Sequence, residues 1–188
     1  MISIYSYINQ NITNINFISN FCSIAKDISL STSDKNIYDT IIEHQKLFNN
    51  LHVIFIETTD ISTGYNIALK NTNHAIKLCL SPNEYIDIKY KNTWYDLATI
   101  LSKDHVDAYA IPLVDKNMEY IQSKWFLHKD GCYRGKLDKN ITEEYIKHTD
   151  GMDLISEESK DIATFRVTPF DRDNLMSNQF PFVTIHAP

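Results

Sequence analysis

Trp125-Phe126-Leu127-His128-Lys129-Asp130-Gly131-Cys132-Tyr133-Arg134-Gly135-Lys136-Leu137 is the clearest local signal in this chain. Asp-Gly stands between two alternating runs that carry aromatic residues. A type I′ turn needs positive φ at both central positions, and Asp-Gly tolerates this better than most dipeptides. The stretch predicts a β-hairpin, with Cys132 opposite Lys129 and Tyr133 opposite His128.

Working outward, the strands come in adjacent runs rather than in strict alternation with helices. That predicts an α+β fold, with a mixed or mainly antiparallel sheet and several helices packed on it. Strands are expected at 1–8, 51–56, 65–69, 74–80, 84–90, 106–114, 162–167 and 182–186. Pro112 marks its strand as an edge or a strand end. Helices are expected from near Thr13 to Ala25, over 34–49 behind a Ser33 or Asp34 cap, from Thr93 to Lys103 and over 141–148, with a helical turn at 154–160. The Ser/Thr-rich stretch 29–33 reads as a joint. No repeat or long linker interrupts the chain, so residues 1–188 are expected to form a single α+β domain.

Composition limits the function classes. Hydrophobic residues at 43% and charged residues at 22% suit a globular protein and exclude disorder. Glycine occurs four times, where average usage of ~7% would give about thirteen. Phosphate-cradling loops use glycine for close backbone approach, and neither GxGxxG nor GxxxxGK[ST] occurs. Lysine outnumbers arginine fifteen to three, a bias that AT-rich codons would give. The formal charge is −6. Residues 138–188 carry ten acidic against five basic residues. An acidic chain with no basic stripe is a poor ligand for nucleic acid or an anionic membrane and suits a basic protein partner. The three cysteines, Cys22, Cys79 and Cys132, form no CxxC, which fits a reducing compartment. No apolar run is long enough to span a bilayer and no secretory leader is recognisable, so the expected residence is cytoplasmic.

Three His-x-Asp pairs occur: His105-Asp107, His128-Asp130 and His148-Asp150. On a strand, residues i and i+2 share a face and could share a metal or a proton. Each pair also has a structural explanation, at a strand start, a turn and a helix end, and no metal site is assigned. Cys132 next to a lysine would gain thiolate character, but His128 falls on the opposite face of the expected hairpin, which weakens a Cys/His nucleophile pair. No EF-hand spacing and no G-x-S-x-G elbow is present.

These absences lead to a non-catalytic expectation, with no cofactor. The chain would be an inhibitor or immunity-type protein that neutralises a basic partner through an acidic, aromatic-bearing face. That face would use Glu157, Glu158, Asp161, Asp171, Asp173, Trp125 and Tyr133. The alternatives are a metal-assisted hydrolase using the His-x-Asp pairs and a structural subunit of a larger assembly.

Overall fold

The computed structural model describes residues 1–8, 15–135, 152–168, 170, 173 and 182–185. The first half of the chain alternates strand and helix. β1 (Ile2–Ile8) leads to α1 (Asn16–Ile24), β2 (Asp27–Thr32), α2 (Lys35–Gln45), β3 (Leu51–Phe55), α3 (Ile61–Lys70) and β4 (Ile76–Cys79). The two-residue β5 (Glu84–Tyr85) and a 3₁₀ turn at Ile88–Tyr90 precede α4 (Lys91–Lys103). Then come β6 (Ala108–Val114), β7 (Tyr120–Lys129), β8 (Cys132–Gly135), β9 (Asp153–Ser156), β10 (Phe165–Val167) and β11 (Val183–Ile185).

Among the described residues nine strands form one mixed sheet in the order β3-β2-β1-β4-β7-β6-β11-β5, with β10 also pairing β6. β1 to β4 are mutually parallel, and β7 runs antiparallel between β4 and β6. Ile2, Ile4 and Ile8 of β1 pack in one core with Phe17 and Phe21 of α1, Ile37 and Ile41 of α2, and Trp94 and Leu101 of α4. Tyr5 and Tyr7 face the other side and pack with Tyr65, Ala68 and Leu69 of α3 and with Met152. The α+β reading with a mixed sheet and packed helices therefore holds. No helix among the described residues is long and apolar enough to cross a membrane.

The expected hairpin does not form. Gly131 does adopt positive φ (80°), so Asp130-Gly131 is a turn. However, β7 is paired on both sides. Ile76, Lys77 and Leu78 of β4 lie opposite Lys129, His128 and Leu127, and β6 lies along the other edge. With no edge left on β7, the turn carries the chain out of the main sheet. β8 pairs instead with β9, Cys132 opposite Ser156 and Tyr133 opposite Ile155, in a second sheet of two strands. This small sheet lies on α3, where Ser62 Oγ and Asn66 Nδ2 donate to the Arg134 carbonyl and Asn66 Oδ1 accepts the Arg134 N–H.

Other departures share one cause: position in the fold overrides local pattern. All but Ser33 of the Ser/Thr-rich 29–33 stretch belongs to β2, a fully buried strand. Two of its hydroxyls are bonded inside, Ser31 Oγ donating to the Gly64 carbonyl and Thr32 Oγ1 to the Ile8 carbonyl. The expected strand at 65–69 is α3, capped by Asp60, whose carboxylate accepts the Thr63 N–H. β3, expected to be buried, is the partly exposed edge strand. Pro112 lies inside the sheet, opposite Ser123 of β7 on one side and, on the other, in the gap between the part of β6 paired with β10 and the part paired with β11. The strand expected at 84–90 is only β5 and the 3₁₀ turn, and 154–160 is β9 followed by a turn. The helix expected at 141–148 lies outside the described residues.

Candidate functional site

The site follows from strand order. β1 has β2 on one side and β4 on the other. β2 is reached through α1, on the sheet face that carries Ile4. β4 is reached through α3, on the face that carries Tyr5. In open sheets of this kind, the connections diverge beyond the carboxyl ends of the strands and leave a crevice there, at the point where strand order reverses. Its rim here is made by residues that follow β2 (Ser33, Asp34), β3 (56–60) and β4 (80–84). Residues 9–14, which follow β1, lie outside the described residues.

The rim is rich in hydroxyls. Tyr7 Oη and Ser33 Oγ are hydrogen-bonded at 3.1 Å, and Tyr65 Oη and Ser81 Oγ at 3.4 Å. Thr32 Oγ1 accepts the Asp34 N–H. Asp34 in turn caps α2, accepting from the N–H groups of Asn36 and Ile37. The start of α1 differs from those of α2 and α3, which Asp34 and Asp60 cap: Ile15 offers no side-chain cap.

The wall formed by Ser81–Glu84 is fixed from below. Glu84 and Lys124 are both fully buried, with Lys124 Nζ donating to Glu84 Oε1 at 2.6 Å. Glu84 Oε2 accepts the Ser81 N–H at 2.8 Å. Sequence reading missed both residues. The only signal was a lysine within the buried run of β7, where a charge requires a partner.

A second buried polar chain runs beneath the crevice. Arg134 Nε donates to Tyr5 Oη (2.8 Å), and Tyr5 Oη lies 2.7 Å from His128 Nε2. His128 Nδ1 lies 2.8 Å from the Lys129 carbonyl. A carbonyl only accepts, so Nδ1 carries the proton and Nε2 accepts from the Tyr5 hydroxyl. Burial holds the His128 pKa well below the ordinary imidazole value, with the Arg134 and Lys77 charges acting in the same direction. His128 is therefore neutral when folded, whereas the unfolded chain takes up a proton near pH 6.5. The folded pKa is depressed, so this contribution to stability is complete above about pH 6.5 and declines below it, by up to about 1.4 kcal/mol per pH unit. Urea unfolding at pH 7 and pH 5 is expected to show that loss, and His128→Gln to reduce it. Equal pH slopes in the two proteins would remove His128 from the account.

The residues singled out in the sequence are dispersed. His128 is buried while Asp130 is exposed and pairs with Lys77. His105 is exposed beside Asp104, and Asp107 Oδ2 accepts the Thr164 N–H. His148 and Asp150 lie outside the described residues. Among the described residues no group of three or more His, Cys, Asp or Glu side chains is placed to hold a metal ion. Cys132 is buried, chiefly burial pushes its thiol up to about 12, and it is inert at neutral pH. Glu157, Glu158 and Asp161 are exposed on the turn after β9, where Asp161 Oδ1 accepts the Ile162 N–H. Asp173 is exposed and Tyr133 half-buried, while Asp171 and the Trp125 side chain lie outside the described residues.

The sequence matches no protein-family profile and no curated protein. The fold is similar to that of S. aureus TarS. The TarS 1–349 structure in complex with UDP matches 98% of this chain with a TM-score of 0.59 at 16% identity. The same protein in complex with UDP-GlcNAc matches 90% with a TM-score of 0.55 at 15% identity. A longer TarS structure matches 89% with a TM-score of 0.54 at 16% identity. This chain spans 60% of the UDP-bound TarS 1–349 chain and 36% of the longer one. The fold is thus one that has been solved with UDP and with UDP-GlcNAc. That finding corrects the expectation of a non-catalytic inhibitor or immunity-type protein.

Proposed function

We propose that this chain is the nucleotide-sugar-binding part of a glycosyltransferase and takes a nucleoside diphosphate sugar in the crevice beyond β1, β2 and β4. The observation that carries this reading is the reversal of strand order between β1 and β4, in the fold of a protein solved with UDP and with UDP-GlcNAc. Local chemistry supports it. The start of α1, where Ile15 supplies no side-chain cap, suits an anionic diphosphate. The hydroxyls of Ser33, Ser81 and Tyr7 suit a ligand rich in hydroxyl and carbonyl groups. In the reaction, the bond from the anomeric carbon to the diphosphate oxygen breaks. An acceptor hydroxyl forms the new bond, its proton is released, and the nucleoside diphosphate leaves.

Calorimetric titration with UDP tests the reading. Saturable binding is expected, weakened at least about tenfold by Ser33→Trp, which fills the crevice from its half-buried rim. Absence of binding, or full affinity in Ser33→Trp, would overturn it.

A further inference from the structure

Sites for nucleoside diphosphates commonly hold a divalent cation between one or two carboxylates and the phosphate oxygens. The carboxylate of the loop after β4 does not fit that role. The loop after β4 carries a single carboxylate, Glu84, fully buried, with one oxygen taken by Lys124 Nζ and the other by the Ser81 N–H. Of the other carboxylates near the described rim, Asp34 and Asp60 accept N–H groups from the first turns of α2 and α3, and Glu57 is exposed after β3. A cation at Glu84 would have to displace a buried ammonium 2.6 Å away and break the bond that shapes the loop. That exchange strands a positive charge in the core.

From this we infer that Glu84 is not a cation ligand and that no divalent cation enters diphosphate binding through the loop after β4. Lys124 is the built-in cation. It neutralises Glu84, and Glu84 holds Ser81 and so sets the wall that the ligand meets. Lys124 is thus a positioning residue that never touches the ligand. The inference rests on the proposed nucleotide-sugar site.

Two titrations of the full chain test it. In the first, UDP is the probe, with chelator present and then with excess Mg²⁺ or Mn²⁺. Whatever effect either ion has is expected to be the same, within about twofold, in the unaltered chain and in the folded double variant E84Q/K124M. Tightening by about tenfold or more, ~1.4 kcal/mol, that is lost in that variant would overturn the inference. In the second, Mn²⁺ alone is the probe, followed by its paramagnetic effect on water relaxation. No saturable binding that depends on Glu84 is expected. Saturable Mn²⁺ binding that disappears in the folded double variant E84Q/K124M would overturn the inference. Failure of UDP to bind under every condition sinks the nucleotide-sugar reading instead, and the Mn²⁺ titration still decides the role of Glu84.

Discussion

Lys124→Met is expected to lower stability by about 3–5 kcal/mol, the cost of leaving one member of a buried ion pair alone. The Lys124 and Glu84 side chains have no exposure to solvent, and their charged atoms lie 2.6 Å apart. Removing the ammonium leaves a buried carboxylate that still accepts the Ser81 N–H but has lost its counter-charge. The chain must then strain to admit water, protonate Glu84 or unfold. The double variant E84Q/K124M removes both charges and keeps an amide in place of the carboxylate. It is expected to recover most of the loss, because paired neutral replacements of buried ion pairs are often close to isoenergetic. Urea unfolding of the two single variants and the double variant, read as a cycle, measures this. Additive losses would mean that the two side chains do not act as a pair.

Gly64→Ala is expected to destabilise the protein by about 2 kcal/mol despite alanine's better helix propensity. A Cβ built on Gly64 would lie 2.5 Å from Cδ2 of Tyr7 and 2.6 Å from Cγ. Those are ring atoms of a residue 2% exposed, not the free end of a flexible side chain. Overpacking of this kind costs about 1–3 kcal/mol and occasionally more, against a propensity gain of ~1 kcal/mol. For a chain of this size the net loss corresponds to a fall in Tm of roughly 4–8 °C. Thermal unfolding by circular dichroism reads it directly. A higher Tm in the variant would show that α3 does not sit this close to β1. The position also matters to the crevice, since Tyr7 carries the hydroxyl that meets Ser33 and the Gly64 carbonyl accepts from Ser31.

The scarcity of glycine now has a second meaning. It was a sound argument against loops that wrap phosphates in glycine-rich backbone, and it did not bear on a crevice formed by strand order. What was legible in the sequence were elements whose local pattern agrees with their place in the fold. α2 has Asp34 as its cap and Ile37 and Ile41 on its buried face. β1 and β11 read correctly from their branched residues. What was not legible depended on neighbours distant in the chain. Ser29 and Ser31 look like a joint until β1 and β3 flank them. Tyr65 to Leu69 alternates like a strand, yet Asp60 caps it as a helix, and Gly64, Tyr65, Ala68 and Leu69 form its buried side. Asp130-Gly131 is a turn, but whether a turn closes a hairpin depends on a free edge, and both edges of β7 are occupied. The crevice itself was invisible for the same reason, because it is defined by the order of strands in space.

The insertion of β7 between β4 and β6 also bears on how the chain is made. β1 to β4 and their helices emerge from the ribosome first, as a parallel half-sheet whose last strand is nearly all apolar. The residues that cover the free edge of β4 are Leu127 to Lys129, about 50 residues later, or roughly 3–10 s at ordinary synthesis rates. During that interval Ile76 and Leu78, buried in the finished protein, border an open row of backbone donors and acceptors. Such an edge is a template for pairing with other nascent chains. Chaperone demand and aggregation during expression are therefore set by the delay between β4 and β7, and slowing translation across residues 80–120 would lengthen it.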